Sequence, residues 1–431
     1  MKKKIWIINH NAQAPSLGGL CRHYYFKKYA KETNYEIKII TSSVIHNTNI
    51  DMLENSKEFL TIKEVDGENF VFLKTNTYKK NSIKRKLNFL SFAWKLKKLP
   101  KKLKEKPDLI YTSSPDIFCA YYSLKLARKL KVPCVVEVRD LWPESIIEYS
   151  GFSSKNPLIK IMYKMEKWIY KNADSIVFTT EGEKQYLVDK GWSDVVDLNK
   201  CYYINNGVDF SRVQELKDSF QITDDLLDSS KLIKCVYIGS IRKANHVQMI
   251  VNAAELLKND GNIAFLFFGD GTEKEPLEHY CREKELTNCK FYGKVDSKYI
   301  PYILSKSDIS ILNYKQAKTL KYGGSQNKLF DYLASGKPII STVSMNYNLI
   351  DRFHCGVTLK NYTVEEFVKV IKDISEQSEE SRLAMGKNGL AGANEFDYKV
   401  LTKRFLYVLD KTIFGESKEY YKVYEGETIN G

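Results

Sequence analysis

At 431 residues, with 43% hydrophobic and 13% aromatic content, the chain exceeds one ordinary core and reads as two globular domains of about two hundred residues each, which excludes a disordered polymer. Its net charge of +14 is local: Lys79 to Lys106 holds twelve basic residues against one acid, Glu105. The excess therefore marks one surface and not a nucleic-acid binder. No run of about eighteen apolar residues exists to cross a bilayer, and the first apolar stretch stops at Asn9-His10, the length of a strand and too short for a secretory segment. Eight scattered cysteines without a Cys-x-x-Cys pair read as buried thiols of a reducing cytoplasm, with no metal site.

From the start, apolar runs alternate with helical patterns: a strand from Lys4 to Asn9, a helix near Leu20 to Lys31, strands from Glu36 to Thr41 and Phe70 to Lys74, then strand–helix pairs opening at Asp108, Cys134 and Ser175. Strands separated by helices of this length mean βαβ units around a parallel sheet. The pattern breaks around Asn205-Asn206-Gly207-Val208-Asp209, and a polar stretch to Ser230 carries no clear strand. The first domain is therefore drawn as 1–209 and the second as 210–398. The second holds strands at Leu232 to Gly239, Ala264 to Gly269, Lys290 to Gly293, Ile309 to Asn313 and Pro338 to Ser341, then closes on helical patterns from Val364 onward. A helix spans 399–414 and a polar tail 415–431. The fold class is α/β, two doubly wound Rossmann-like domains, with the ligand crevice expected between them at the carboxyl ends of the strands.

The most informative segment is Gly323-Gly324-Ser325-Gln326-Asn327-Lys328-Leu329-Phe330-Asp331. It reads as a glycine-rich loop with Ser325 as the N-cap of a helix that ends at Gly336. At about 100° per residue, Asn327, Lys328 and Asp331 share one face, and Leu329, Phe330 and Leu333 the other. A lysine in the first turn opposes the helix dipole unless an anion sits there. A diphosphate is the expected occupant, with Asp331 accepting from a ribose diol.

Gly239, Arg242 and Lys243 after one strand, Gly269 and Gly271 after the next, and Lys294 with Val295 after a third complete a candidate donor rim. Glycines there admit a close backbone approach and the cations supply charge. In the first domain, Gly18, Gly19 and Arg22 follow the first strand and would face a phosphate or the acceptor. Arg139, Asp140 and Glu144 follow the strand Cys134 to Val138 and are the candidate catalytic residues, a structural Arg139–Asp140 ion pair being the plainer reading. The Lys79 to Lys106 block interleaves Phe89, Phe92, Trp94 and several leucines with its lysines, as a surface that meets anionic lipid does.

These motifs, with Ser113-Ser114-Pro115, the run Glu137 to Ser145 and Asn206-Gly207-Val208-Asp209, resemble those of the family-4 retaining glycosyltransferases over nearly the full length. The likeness is greatest to the subset that transfers amino- and deoxy-sugars, such as N-acetylfucosamine, in O-antigen and capsule assembly. The resemblance implies a GT-B fold whose domains face each other across a cleft, an acceptor-binding first domain, and a second domain that binds a nucleotide diphosphate sugar, UDP-linked. It implies retention of configuration, no bound cofactor or metal, and a last helix that packs back on the first domain. It further implies hexosyltransferase-type activity on a lipid-linked (polyprenyl diphosphate) saccharide, by a cytoplasmic protein peripheral to the inner face of the cell membrane. Two features depart from the family pattern. Its two glutamates, eight positions apart, fall at Gly323 and Asp331, and Arg139-Asp140 stand where many relatives carry a histidine. The runner-up is a nucleotide-sugar 2-epimerase of the same architecture, with a non-catalytic membrane-binding protein behind it.

Overall fold

In the computed structural model the described residues are 2–46, 48, 50–78, 83–114 and 116–415. Lys79, Lys80, Pro115 and the tail beyond Gly415 lie outside them. The chain divides into two compact units: Met1–Asn205 with the segment from Tyr398 onward, and Asn206–Asp397. The junction falls a few residues earlier than the sequence pattern suggests. The Val208 amide donates to the Phe396 carbonyl at 3.0 Å and the Phe210 amide to the Asp397 carboxylate at 3.4 Å, so residues 206–209 are tied into the second unit.

The first unit runs β1 (Lys3–Ile8), α1 (Arg22–Tyr29), β2 (Tyr35–Ser42), β3 (Leu60–Val65), β4 (Glu68–Leu73), α2 (Ile83–Lys95), α3 (Leu99–Leu103), β5 (Leu109–Ser113) and α4 (Ile117–Leu130). It continues through β6 (Cys134–Val138), α5 (Glu144–Ser150), α6 (Pro157–Asn172), β7 (Ser175–Phe178), α7 (Glu183–Asp189) and β8 (Cys201–Tyr203). The second unit has α8 (Phe210–Ser219), β9 (Ile233–Ile238), α9 (Gln248–Leu256), β10 (Ile263–Phe268), α10 (Lys274–Glu283), β11 (Cys289–Gly293), α11 (Ile300–Lys306) and β12 (Ile309–Leu312). It closes with α12 (Asn327–Ser335), β13 (Ile339–Ser341), α13 (Leu349–Arg352), β14 (Gly356–Thr358), α14 (Val364–Ser375) and α15 (Glu379–Ala393), and α16 (Tyr398–Phe414) returns to the first unit.

Eight strands in the order β3-β4-β2-β1-β5-β6-β7-β8 form the first sheet, and six in the order β11-β10-β9-β12-β13-β14 form the second. All neighbours are parallel except β3 and β4. The inner strands are apolar along their length, as β1 (KKIWII) and β10 (IAFLFF) show, because helices cover both faces of a parallel sheet. Each sheet reverses its strand order beside its first strand, at β1/β5 and at β9/β12. The carboxyl ends of strands at such reversals open a crevice for a ligand.

Three strands escaped the sequence pattern. β3 is an exposed edge strand, and the turn to β4 places Asp66 and Gly67 at φ +51° and +75°, the conformation for which Asp-Gly is the preferred pair. The short β8 and β14 carry too few residues to show a period. Within the first unit α16 packs on α1, where Phe26 stacks on Phe405 at 4.8 Å and Tyr25 on Tyr398 at 4.4 Å.

Candidate functional site

In the second unit the ends of β9, β10 and β11 lie side by side. Their last residues are laced together, the Gly239 amide donating to the Phe268 carbonyl and the Gly269 amide to the Gly293 carbonyl. Gly269 has φ +154°, and a Cβ there would lie 1.8 Å from the Gly239 carbonyl oxygen. A Cβ on Gly271 would likewise lie 2.2 Å from the Ile241 oxygen. Both glycines were expected to admit a ligand, yet what they admit is the neighbouring loop's backbone, and they hold the rim in register.

α12 is docked on this rim by its apolar face. Leu329, Phe330 and Leu333 are fully buried, and the Tyr332 hydroxyl, also buried, accepts from the Ile238 amide at 2.9 Å. Leu329 is thus a core residue, correcting its assignment to donor binding, and its amide donates to the Gln326 carbonyl. Ser325 is not the helix cap either. Gln326 occupies that position, and the Ser325 hydroxyl instead accepts from the Asn206 amide at 2.8 Å while the Asn206 side chain donates to the Ser325 carbonyl.

The opposite face of α12 leaves two charged groups without charged partners. The Lys328 ammonium donates to the Tyr237 hydroxyl at 3.1 Å and sits 4.3 Å from that ring's centre. It also packs where a Cβ on Gly239 would be, 3.2 Å away. Burial pushes the Lys328 ammonium down to about 7 and the Asp331 carboxyl up to about 7. Neither forms an ion pair among the described residues. A cation and an anion one helical turn apart, both driven toward neutrality, are stabilised by a ligand that brings a negative group to one and hydroxyl donors to the other.

Arg242 and Lys243 extend into solvent from the turn after β9, and Lys294 does so after β11, beside the half-buried Val295. Asn327 opens the first turn of α12 next to Lys328. Gly323 explains one departure from the family pattern, since its φ of +102° is a conformation that a glutamate would adopt only under strain. Tyr237 and Tyr332 were not singled out in the sequence as site residues. Their signal is the interruption of apolar runs by a hydroxyl that must find a partner when buried.

In the first unit the loop after β1 presses Gly18 against the Gln13 side chain and leaves the Cβ side of Gly19 open. Arg22 does not face a phosphate. It is 1% exposed, and its guanidinium pairs with Glu137 at 2.9 Å and donates to the Ile204 and Asn205 carbonyls at 3.0 Å each. Glu137 is fully buried and also receives His23 at 2.9 Å, the Tyr111 hydroxyl at 2.8 Å and the Ser113 hydroxyl. Burial alone would raise its carboxyl, but the Arg22 guanidinium and His23 hold it well below the usual range. This network, which the sequence did not reveal, ties α1, β5, β6 and the end of β8 together.

Beyond β6, Arg139 is half-buried and Asp140 exposed. The Arg139 amide donates to the Ser114 hydroxyl at 3.0 Å and its carbonyl accepts from Thr179. No Arg139–Asp140 ion pair forms among the described residues, which removes the plainer reading of that pair. Glu144 is corrected from a catalytic to a structural role, because it pairs with Lys190 at the end of α7, and that ammonium also lies 4.2 Å over the Tyr163 ring.

The family described as "Glycosyl transferases group 1" matches residues 219–391, and "Glycosyltransferase Family 4" matches 63–212. Among curated proteins, the chain is similar to one named as a colanic acid biosynthesis glycosyl transferase of Escherichia coli K12, 23% identical over 49% of this chain and 52% of that protein. It is also similar to one named as a teichuronic acid biosynthesis glycosyltransferase of Bacillus subtilis 168, 29% identical over 48% and 50%. The alignment thus spans about half the length of the curated relatives it matches. Two solved structures share the fold across almost the whole chain. Sucrose-phosphate synthase of Thermosynechococcus elongatus has a TM-score of 0.68 at 15% identity, covering 95% of this chain and 99% of that one. Anabaena HepE, in complex with UDP and glucose, has a TM-score of 0.65 at 13% identity, covering 95% and 100%. The chain therefore has the GT-B fold, and two glycosyltransferase family models match it in succession, one in each half.

Proposed function

We propose that this protein is a retaining glycosyltransferase that moves a sugar from a nucleotide diphosphate sugar, UDP-linked, to a lipid-linked saccharide during bacterial surface polysaccharide synthesis. The observation that carries the reading is the pair Lys328 and Asp331, half-buried at the strand reversal of the second unit with no ion-pair partner among the described residues. A diphosphate restores the lysine's charge, and a ribose diol donates to the aspartate. The names of the two curated relatives support polysaccharide assembly as the setting, and the complex of HepE with UDP and glucose supports the donor.

In this reading the departing diphosphate is stabilised by Lys328, by the amide end of α12 and by the solvent-exposed Arg242 and Lys243. The bond from the anomeric carbon to the phosphate oxygen breaks as the acceptor oxygen bonds to the same face, and the acceptor's proton passes to the leaving phosphate. Asp140 orients the acceptor hydroxyl or the donor sugar, with Arg139 beside it. The polyprenyl diphosphate acceptor places the protein at the cytoplasmic face of the membrane, with the basic Lys79 to Lys106 region toward anionic lipid.

The test is thermal stabilisation by UDP and GDP followed by UDP release with and without a lipid-linked acceptor. The reading expects UDP to stabilise the protein, Lys328→Met to abolish that shift, and release to require the acceptor. Conversion of the sugar nucleotide without any acceptor would move the assignment to an epimerase, and no shift with any nucleotide would overturn it.

A further inference from the structure

The basic region identified in the sequence is one edge of a wider surface. α4 packs between α2 and α6 on one face of the first sheet, and these three helices carry four, three and four basic residues. α2 and α4 contain no acid. The single acid of α6, Glu166, is 1% exposed and accepts from the Tyr170 and Tyr186 hydroxyls at 3.0 Å each. None of these three helices therefore carries an exposed acid among its described residues.

Apolar side chains stand out of this charge at both edges. On α2, Leu87, Leu90 and Trp94 are exposed, Trp94 by 48%. The Lys97 ammonium lies 3.5 Å over the Trp94 ring. On α6, Leu158 and Ile161 are exposed by 52% and 55%. Between them Lys125 lies over Tyr121 and Arg128 over Trp168, at 4.4 and 5.0 Å. The anchor of α2 is firm: Asn88 is fully buried, bonded to His10 and donating to Thr75 at 3.0 Å.

We propose that the joint outer face of α2, α4 and α6 docks on an anionic phospholipid bilayer, its lysines and arginines meeting the headgroups while Leu87, Leu90 and Trp94 on one edge and Leu158 and Ile161 on the other enter the acyl boundary. A polyanion such as RNA would use the charges but has no place for two edges of exposed Leu, Ile and Trp, whereas a lipid interface uses both. The inference rests on the lipid-linked acceptor proposed above for its purpose, and on the α2–α4–α6 face alone for its geometry.

The experiment is co-sedimentation of the full chain with vesicles of phosphatidylcholine alone and of phosphatidylcholine mixed with phosphatidylglycerol, at low and high salt, with UDP-induced thermal stabilisation read on the same samples. Wild-type protein is expected to bind only the anionic vesicles, more weakly in salt. Replacing Lys160, Lys164 and Lys167 together by Gln should weaken binding by on the order of a hundredfold, at about fivefold per lysine. Leu158→Ser with Ile161→Ser should remove the binding that survives high salt. All these positions are at the surface, so the melting temperature should hold. Wild-type binding by both α6 variants would overturn the proposal, as would equal binding to neutral vesicles, or heparin binding as tight as vesicle binding. A lost UDP shift with intact vesicle binding would count against the glycosyltransferase reading alone, and the converse against this surface alone.

Discussion

At the end of β6, Glu137 is enclosed by Arg22, His23, Tyr111 and Ser113. At the end of β9, Lys328 meets only a tyrosine and Asp331 meets no ion-pair partner among the described residues. Both groups lie at the carboxyl end of a strand at or next to an order reversal, and the sequence points to a ligand at Arg22 in the first as at Lys328 and Asp331 in the second. The first has satisfied its charges within the protein, so it stabilises the fold and has nothing left to offer a ligand. The second holds charges that burial disfavours, so the unliganded unit is less stable than it would be with apolar residues there, and a ligand recovers the difference. A functional site is distinguished from a structural one by its unbalanced charge, more than by its composition.

The contrast can be broken most forcefully at Glu137. Glu137→Gln should cost about 3–5 kcal/mol in denaturant unfolding, since it leaves the buried Arg22 without its anion. A cost under about 1 kcal/mol would show the network to be dispensable. Lys328→Ala should behave in the opposite manner, with the fold kept or made firmer and turnover falling by on the order of 10²–10³. A melting temperature that drops as far as that of the Glu137 variant would erase the distinction.

Gly269→Ala, which forces a Cβ into the Gly239 carbonyl, should cost about 1–3 kcal/mol and weaken nucleotide binding with it. Unaltered nucleotide affinity would detach the rim from the site. The smallest effect is on pH. With Lys328 lowered to about 7, the unfolded chain holds more protons above that pH, so the unliganded protein gains stability from this lysine as pH rises toward the ordinary lysine range. Nucleotide affinity runs the other way, falling by up to about tenfold per unit above pH 7 because binding must restore the proton. Lys328→Arg, always charged, should flatten that slope in titration calorimetry, and a falling slope that persists would show that Lys328 is not its source.

Much of this was legible from the chain alone. Strands of the βαβ units announced themselves through apolar runs, and the two faces of α12 through the spacing of Lys328, Asp331, Leu329 and Phe330, although Leu329 was assigned by proximity in sequence to a site that its own face excludes. Arg22 was misread because its glycine-rich approach resembles a phosphate loop, and nothing local indicates Glu137, more than a hundred residues away. Ser325 has the right chemistry for a cap, but the chain enters α12 one residue later and a long-range bond to Asn206 claims the hydroxyl. The β3–β4 hairpin carried its Asp-Gly signal and was missed because one of its strands is polar. Local patterns show in sequence; partners distant along the chain do not.

The return of the chain at Tyr398 has a consequence for biosynthesis. Tyr25 and Phe26 emerge from the ribosome early, but Tyr398 and Phe405, which cover them, follow only after the whole of the second unit. During that interval the first unit presents an aromatic strip to whatever is nearby, while the contiguous second unit has all its own residues and can fold as soon as it clears the exit. The inserted half should thus reach its final state first, with α16 closing the earlier-made half last. A chain arrested just before Tyr398 would be one folded domain carrying an adhesive, incomplete neighbour.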